Sequence, residues 1–253
     1  MFDFREYKNN GYTIIDNVIS KKLISQFNKE LKSIHPDKNK LEMSGKNDIF
    51  GKFFKKNSNR KTYYALMQDM KSVKSIAYEI DKKLEDLNVY KKLGFKAPSI
   101  KNALIVSLPG EKKFDNPLHQ DIYNNHSNLF IKIWAPLSEV SVERGSMELF
   151  KKSQSLGFVK PKYDKLKYYP EINKKNIDNY ESNILSFKPG PVVIFNPLIL
   201  HRSVPNNSDK TRFVIGCDIQ DISQIYDLKE SSIYRKMLDI TKKRKTIRKK
   251  INY

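Results

Sequence analysis

The apolar positions in the first hundred residues repeat mainly at helical spacing. A short strand is predicted at residues 12 to 15, and Ser20 is placed to cap a helix that follows it. A second helical stretch covers about residues 69 to 92. The two predicted apolar stripes are Leu23, Phe27, Leu31 and Ile34, then Val73, Ile76, Ala77, Ile80 and Leu84. Both stripes indicate helices that pack one face against a core.

From residue 99 the pattern changes to short apolar runs separated by glycine and proline. The runs are SIKNALIVSLPG, LFIKIWAPL, SMELF, ILSFKPGPVVIFNPLILHRSVP and TRFVIGCDIQ. Because no helical pattern alternates with them, we expect an antiparallel sandwich or jelly roll rather than a parallel sheet. The chain is therefore predicted to be one mainly β domain over residues 1 to 253, with N-terminal helices at 16 to 92 and a jelly-roll core at 99 to 222.

Two further segments carry distinct patterns. Residues 158 to 180 form a polar insertion rich in tyrosine and lysine, interpreted either as a lid or as an ordinary surface loop. Residues 229 to 251 predict a basic amphipathic helix with seven lysines and arginines between positions 241 and 250. Such a helix can dock on its own domain, lie on a membrane surface or bind nucleic acid, and docking is the simplest interpretation.

Composition narrows the class of protein. At 253 residues with 39% hydrophobic content the chain can bury a full core, and its apolar runs are too short to span a bilayer. The charged N-terminus does not resemble a secretion signal. The single cysteine, Cys217, allows no intrachain disulfide and fits a reducing compartment. A soluble, cytoplasmic protein is expected, and the sequence makes no prediction of its oligomeric state.

The formal net charge of +20 raises the question of nucleic-acid binding. The basic residues are 40 lysines and 8 arginines spread along the whole chain, whereas phosphate recognition favours the planar fork of arginine. Nucleic acid is therefore not the expected partner, and a general preference for lysine explains the charge more simply.

Three residues suggest a metal site. His119 and Asp121 stand one residue apart in PLHQDIY, so on an extended strand both side chains would point to one face. His201 ends the apolar run VVIFNPLIL and could reach the same point from another strand. Two imidazoles and one carboxylate form the facial ligand set of non-haem Fe(II) oxygenases. Zinc, or a polar pair at a strand end, would explain parts of the same pattern, and His35 and His126 are left outside the set.

Arg212 strengthens the metal interpretation. It begins the strand RFVIGCDI, eleven residues after His201, and across a hairpin it could point into the same interior. A buried arginine needs a partner, and these two strands offer no acidic residue in the right phase. A bound dicarboxylate would satisfy it through a bidentate contact.

The sequence resembles the phytanoyl-CoA dioxygenase family of Fe(II)/2-oxoglutarate-dependent oxygenases. The similar blocks are GYTIIDNVIS, PLHQDIY, IWAPLSEVSVERGSMELF and FKPGPVVIFNPLILHRSVPNNSDKTRFVI. The resemblance implies a double-stranded β-helix that binds Fe(II), 2-oxoglutarate and O2, with ascorbate open as an accessory. It implies iron ligation by His119, Asp121 and His201, a contact from Arg212 to the distal carboxylate of 2-oxoglutarate, assistance from Ser203, and Trp134 in the cofactor pocket.

Two departures from the family pattern concern the substrate. LFKKSQSLG replaces a proline-glycine-serine-histidine segment, and Ser107 stands where a lysine is often found.

The expected function is hydroxylation of an unactivated C–H bond in a small molecule, with release of succinate and CO2. Lys112, Lys113 and Arg202 would suit an anionic substrate. The alternatives are a catalytically silent jelly-roll binding module and a basic protein of nucleic acid or membrane surfaces.

Overall fold

A computed structural model describes residues 1–34, 60–111, 115–122, 127–162 and 170–224. His35, Lys112, Lys113, His126, the middle of the 158 to 180 insertion and the predicted helix at 229 to 251 lie outside these ranges.

The described helices all precede the main run of strands. Their bounds are α1 Phe4–Asn10, α2 Lys21–Ile34, α3 Arg60–Gln68, α4 Lys71–Asp86 and α5 Val89–Leu93. The Ser20 hydroxyl accepts a hydrogen bond from the Leu23 amide at 3.4 Å, which confirms the predicted start of α2. The predicted helix at 69 to 92 is two helices, because Asn88 adopts a left-handed conformation with φ 54° between them. Two short 3₁₀ helices cover Ser153–Leu156 and Lys174–Ile177.

The described residues form eight antiparallel strands in two sheets, as the strand pattern predicted. Their bounds are β1 Tyr12–Ile15, β2 Pro98–Ser107, β3 Phe130–Pro136, β4 Met147–Phe150, β5 Ser182–Ile184, β6 Val192–Phe195, β7 His201–Ser203 and β8 Arg212–Asp221. The larger sheet has the order β1-β6-β3-β8-β2, and the smaller has the order β5-β4-β7. The fold is the expected jelly roll, and β1 extends its larger sheet beyond residues 99 to 222.

The larger sheet is buried on both faces because its strands alternate between two apolar layers. Ile131 and Ile133 of β3 pack towards the helices, where they meet the stripes of α2 and α4. Trp134 points the other way, into a layer shared with Met147 and Leu149 of the smaller sheet. The helices thus cover one face of the larger sheet, and the space between the two sheets remains for a site.

Asp221 ties the end of β8 to the start of β2. Its carboxylate accepts hydrogen bonds from the amides of Lys96 and Ala97, and from both the amide and the hydroxyl of Ser223. Burial acts to raise the pKa of Asp221, but these hydrogen bonds, led by that of the Ser223 hydroxyl, outweigh it and lower the pKa to about 2.

The described ends of the 158 to 180 insertion pack on the domain. Lys162 and Glu171 form an isolated antiparallel bridge, and the Ile172 amide donates to the Leu118 carbonyl at 2.7 Å. Ile172 is fully buried against Leu118, Phe150 and Leu200. This part of the insertion therefore supports the segment that carries His119. No helix within the described ranges has the length and apolar character to cross a bilayer.

Candidate metal and 2-oxoglutarate site

An isolated β-bridge brings together the two histidines predicted to bind metal. The His119 amide donates to the His201 carbonyl at 2.9 Å, and the His201 amide donates to the His119 carbonyl at 3.1 Å. His201 begins β7, whereas the sequence pattern placed it at the end of the strand VVIFNPLIL, so that expectation is wrong. His119 makes only this bridge within the described chain and does not lie on a regular strand as expected. The exchanged pair of backbone hydrogen bonds nevertheless sets the two side chains next to each other.

The residues after His119 are fixed from behind by Gln120. Its side-chain amide donates to the carbonyls of Gly157 and Leu198 at 2.8 and 2.7 Å, and its oxygen accepts from the Val159 amide at 3.0 Å. Gln120 is fully buried, and its side chain is bonded on the side away from the candidate metal ligands. Because the Asp121 amide also donates to the Pro197 carbonyl at 2.9 Å, the backbone of the triplet is held on both sides.

The ligand atoms of His119, Asp121 and His201 converge. All three lie within 4.8 Å of one another. His119 Nε2 is 3.4 Å from Asp121 Oδ1, and His201 Nε2 is 3.5 Å from Asp121 Oδ2. This is the donor set that suits a non-haem Fe(II) ion, with two neutral imidazoles and one carboxylate.

Backbone carbonyls orient both imidazoles. His119 Nδ1 is 2.6 Å from the Pro117 carbonyl oxygen, and His201 Nδ1 is 3.1 Å from the Ile199 carbonyl oxygen. Because a carbonyl only accepts, Nδ1 carries the proton in each ring and Nε2 keeps its lone pair. The Nε2 lone pairs therefore face Asp121, which is the orientation that metal ligation requires.

The electrostatics favour the protonation states of a metal site. Burial, followed by the neighbouring His201, lowers the pKa of His119 to about 4, so this ring is neutral near pH 7. Burial acts to raise the pKa of Asp121, but the Lys132 ammonium and the two histidines outweigh it and hold that pKa well below its usual range. The site thus presents a neutral imidazole and an ionised carboxylate without further proton loss.

Arg212 lies in the same cavity but reaches it from the other sheet. It starts β8 in the larger sheet, whereas His201 starts β7 in the smaller one, so the predicted hairpin relation is wrong and the two residues face each other across the sandwich. Arg212 is 6% exposed, and burial lowers its pKa to about 10 while Asp115 opposes that shift. Its Nη1 is 3.5 Å from the Ser146 carbonyl, and its buried Nε has no hydrogen-bond partner within the described chain.

The cavity between the sheets connects Arg212 with the histidines. Its volume is about 90 Å³, well above the roughly 10 to 15 Å³ that one water needs. Trp134 and Ser203 both line it. The structure thus brings together all six residues expected to bind the metal or 2-oxoglutarate. The Ser203 hydroxyl accepts a hydrogen bond from the Asn116 amide at 3.1 Å, and Trp134 is also part of the apolar layer between the sheets.

Two ion pairs in the cavity wall were missed by the sequence reasoning. Lys132 on β3 forms an ion pair with Asp218 on β8 and also lies 3.5 Å from Asp121 Oδ2. Arg202 Nε lies 2.5 Å from Oε2 of the buried Glu148. A signal for Lys132 was present, because it is the one charge in the strand FIKIWAP and shares the phase of Trp134.

The fold and the site define a jelly-roll protein with a candidate facial metal triad. The chain belongs to the phytanoyl-CoA dioxygenase (PhyH) family, whose sequence model matches residues 7–214. It is similar to the peroxisomal phytanoyl-CoA dioxygenase of Homo sapiens, with 25% identity over 232 residues that cover 83% of this chain. The chain spans 65% of the length of that relative.

Solved structures share the fold at low sequence identity. One is the epimerase SnoN in complex with Fe3+, alpha ketoglutarate and nogalamycin RO, with a TM-score of 0.55, 12% identity, and coverage of 91% of this chain and 86% of that one. Another is EvdO2 from Micromonospora carbonacea var. aurantiaca complexed with 2-oxoglutarate, with a TM-score of 0.55, 15% identity, and coverage of 90% and 96%. At these identities the likeness shows the fold alone.

Proposed function

We propose that this protein is an Fe(II)- and 2-oxoglutarate-dependent dioxygenase that hydroxylates an unactivated C–H bond of a small molecule. The observation that carries the proposal is the convergence of His119, Asp121 and His201 in a cavity that also holds Arg212. Family membership supports it, as do the iron and 2-oxoglutarate bound in structures of similar fold.

The residues present fit both groups. Nε2 of His119, Nε2 of His201 and one oxygen of Asp121 would hold the iron, since their lone pairs already face a common point. The buried Arg212, with an unpartnered Nε in the described chain, would hold the distal carboxylate of 2-oxoglutarate. When bound, iron with 2-oxoglutarate and O2 supplies an oxidation that yields succinate and CO2 and puts one oxygen atom into the substrate.

The chain's own contribution is positioning and exclusion of water. Trp134 would give the cofactor an apolar wall, and Ser203 would stand beside Arg212 at the cosubstrate carboxylate. Because Asp121 supplies a carboxylate ligand, hydroxylation is favoured over halogenation, which would use that coordination position for a halide. SnoN, which shares this fold, is an epimerase, so epimerisation is the main competing outcome.

The substrate proposed is small and carries an anionic group. Support comes from the net charge of +20 and from Lys112 and Lys113, which lie outside the described residues. Arg202 adds little, because Glu148 already neutralises it. A screen of phosphorylated, carboxylated and CoA-linked compounds, read by succinate release, would identify the substrate class, and a preference for neutral compounds would overturn the proposal of an anionic substrate.

A cytoplasmic location is retained as a sequence prediction, to be checked by cell fractionation.

The test of the proposed function is anaerobic addition of Fe(II) and 2-oxoglutarate to the full chain. A weak visible charge-transfer band should appear only with both components present. His201→Ala should abolish the band, and His35→Ala, which removes a histidine outside the proposed ligand set, should retain it. Absence of the band from the wild-type protein, or its persistence in His201→Ala, would contradict the proposal.

A further inference from the structure

Lys132 occupies an unusual place for a lysine, in the wall of the cavity. Its neighbours Ile131 and Ile133 are buried on the helix side of the larger sheet, so alternation along β3 turns Lys132 to the cavity side with Trp134. Its side chain is only 11% exposed. A lysine is seldom buried to this extent unless its charge is matched by an acidic partner.

Two carboxylates match that charge, and one of them is a predicted metal ligand. Lys132 forms an ion pair with Asp218, which stands opposite it in the β3–β8 register. The same ammonium lies 3.5 Å from Asp121 Oδ2. The side chains of both aspartates are 17% exposed, so solvent screens these contacts less than it would at the surface.

The contact with Asp121 separates this arrangement from an ordinary cross-strand ion pair. A pair that only joined β3 to β8 would need Asp218 alone. Here the Asp121 carboxylate is contacted from two sides, by the two histidine rings and by the Lys132 ammonium. Asp218 in turn cancels the lysine charge, so the charge of Asp121 remains available to attract a divalent cation.

We propose that Lys132 is a positioning residue that fixes the carboxylate of Asp121 for metal binding, with Asp218 holding and neutralising Lys132. The inference rests on the proposed function, because it assigns Asp121 to a metal. It predicts that the pair acts on metal affinity and coordination geometry and not only on stability. Groups that orient a metal ligand from behind typically contribute about 10- to 100-fold to metal affinity.

The experiment titrates the full-length protein with Co(II) alone and follows the dissociation constant and the visible spectrum of the bound ion. The main variant is the double substitution Lys132→Met with Asp218→Asn, which removes the ion pair without changing the net charge. The matched control is Lys151→Met with Glu181→Gln, which removes an ion pair on the β4 side of the domain in the same charge-neutral way. Circular dichroism and thermal unfolding report whether each variant is folded.

The expected result is a Kd for Co(II) raised about 10- to 100-fold in the main variant, with an altered visible spectrum, and a Kd within about threefold of wild type in the control. If the main variant does not fold, Asp218→Asn alone decides. It leaves the lysine charge uncancelled beside Asp121 and should raise the Kd about tenfold.

The outcomes separate the two proposals. The positioning role would be overturned, and the metal site left intact, by the following result. The wild type binds Co(II), His201→Ala binds it more weakly, and the folded Lys132 variant keeps the wild-type Kd and spectrum. A wild-type protein that does not bind Co(II), or binds it equally well in His201→Ala, would overturn the metal site itself.

Discussion

Gln120 offers a sharp test of how the segment with the candidate ligands His119 and Asp121 is held. The substitution Gln120→Leu keeps a similar side-chain volume but removes three hydrogen bonds, to the carbonyls of Gly157 and Leu198 and from the amide of Val159. All three distances are between 2.7 and 3.0 Å, and Gln120 itself is fully buried. The leucine would therefore leave three backbone polar groups without their partner.

The expected loss follows from the number and exposure of those groups. A typical hydrogen bond contributes about 1 kcal/mol net, and a buried group left unsatisfied costs about 1 to 3 kcal/mol. Because Gly157, Val159 and Leu198 are only half-buried, water can partly replace the lost partner, and the lower figure applies. Three groups at about 1 kcal/mol each give about 3 kcal/mol, which corresponds to a fall in Tm of about 6 to 12 °C for a chain of this size.

The assay is urea unfolding of both proteins followed by circular dichroism, with Gln26→Leu as the control. Gln26 is exposed on α2, and among the described residues its side chain bonds only to Glu30, at 3.4 Å. The same substitution there should therefore change the free energy of unfolding by less than about 0.5 kcal/mol. A loss below about 1 kcal/mol in Gln120→Leu, or equal losses in both variants, would show that these hydrogen bonds do not hold the segment.

Three further predictions concern the cosubstrate contact, a turn and acid stability. Arg212→Met should weaken 2-oxoglutarate binding at least about 30-fold in titrations of the charge-transfer band, while its affinity for Co(II) stays within about threefold of wild type. An unchanged affinity for 2-oxoglutarate would contradict the proposed contact between Arg212 and the distal carboxylate. Gly145→Ala should lose about 1 to 3 kcal/mol in urea unfolding, because φ is +78° and the new Cβ would stand 3.0 Å from Asn206 Cβ. Gly94→Ala, left-handed with φ +83° and open space around the new Cβ, should lose only the strain of about 1 kcal/mol, and equal losses would show that the close contact is unimportant. Because folding lowers the pKa of Asp221, its ionised carboxylate stabilises the fold above about pH 4, and that contribution is lost as the pH falls towards about 2. The difference in urea-unfolding midpoint between wild type and Asp221→Asn should therefore shrink over this pH interval, and a constant difference would contradict the stabilising role of the carboxylate.

The strands and the long helices could be predicted from the sequence because burial imposes a local period. The stripe from Val73 to Leu84 is fully or nearly fully buried, and each predicted apolar run after residue 99 contains a strand. Helix α1 was missed because seven residues are too few to show a stripe, although Asp3 caps its start and Gly11 its end. The break at Asn88 was missed because it depends on one left-handed residue inside a continuous helical pattern.

The candidate site was predictable as a set of residues but not as an arrangement. The sequence showed the spacing of His119 and Asp121 and the distant His201. It also showed that Arg212 has no acidic residue opposite it at the matching strand positions. The relation of these residues across two sheets was not visible, because it depends on the strand order, and the hairpin expectation failed for that reason. Contacts such as Lys132 with Asp218 join residues 86 positions apart, and no local period encodes such a pair.

The proposed metal and 2-oxoglutarate site would be seen directly in a crystal structure of the full chain grown without oxygen in the presence of Mn(II) and 2-oxoglutarate. We expect Mn(II) bound to Nε2 of His119, Nε2 of His201 and a carboxylate oxygen of Asp121, with the distal carboxylate of 2-oxoglutarate against Arg212. Mn(II) held by other residues, or 2-oxoglutarate bound away from Arg212, would contradict it.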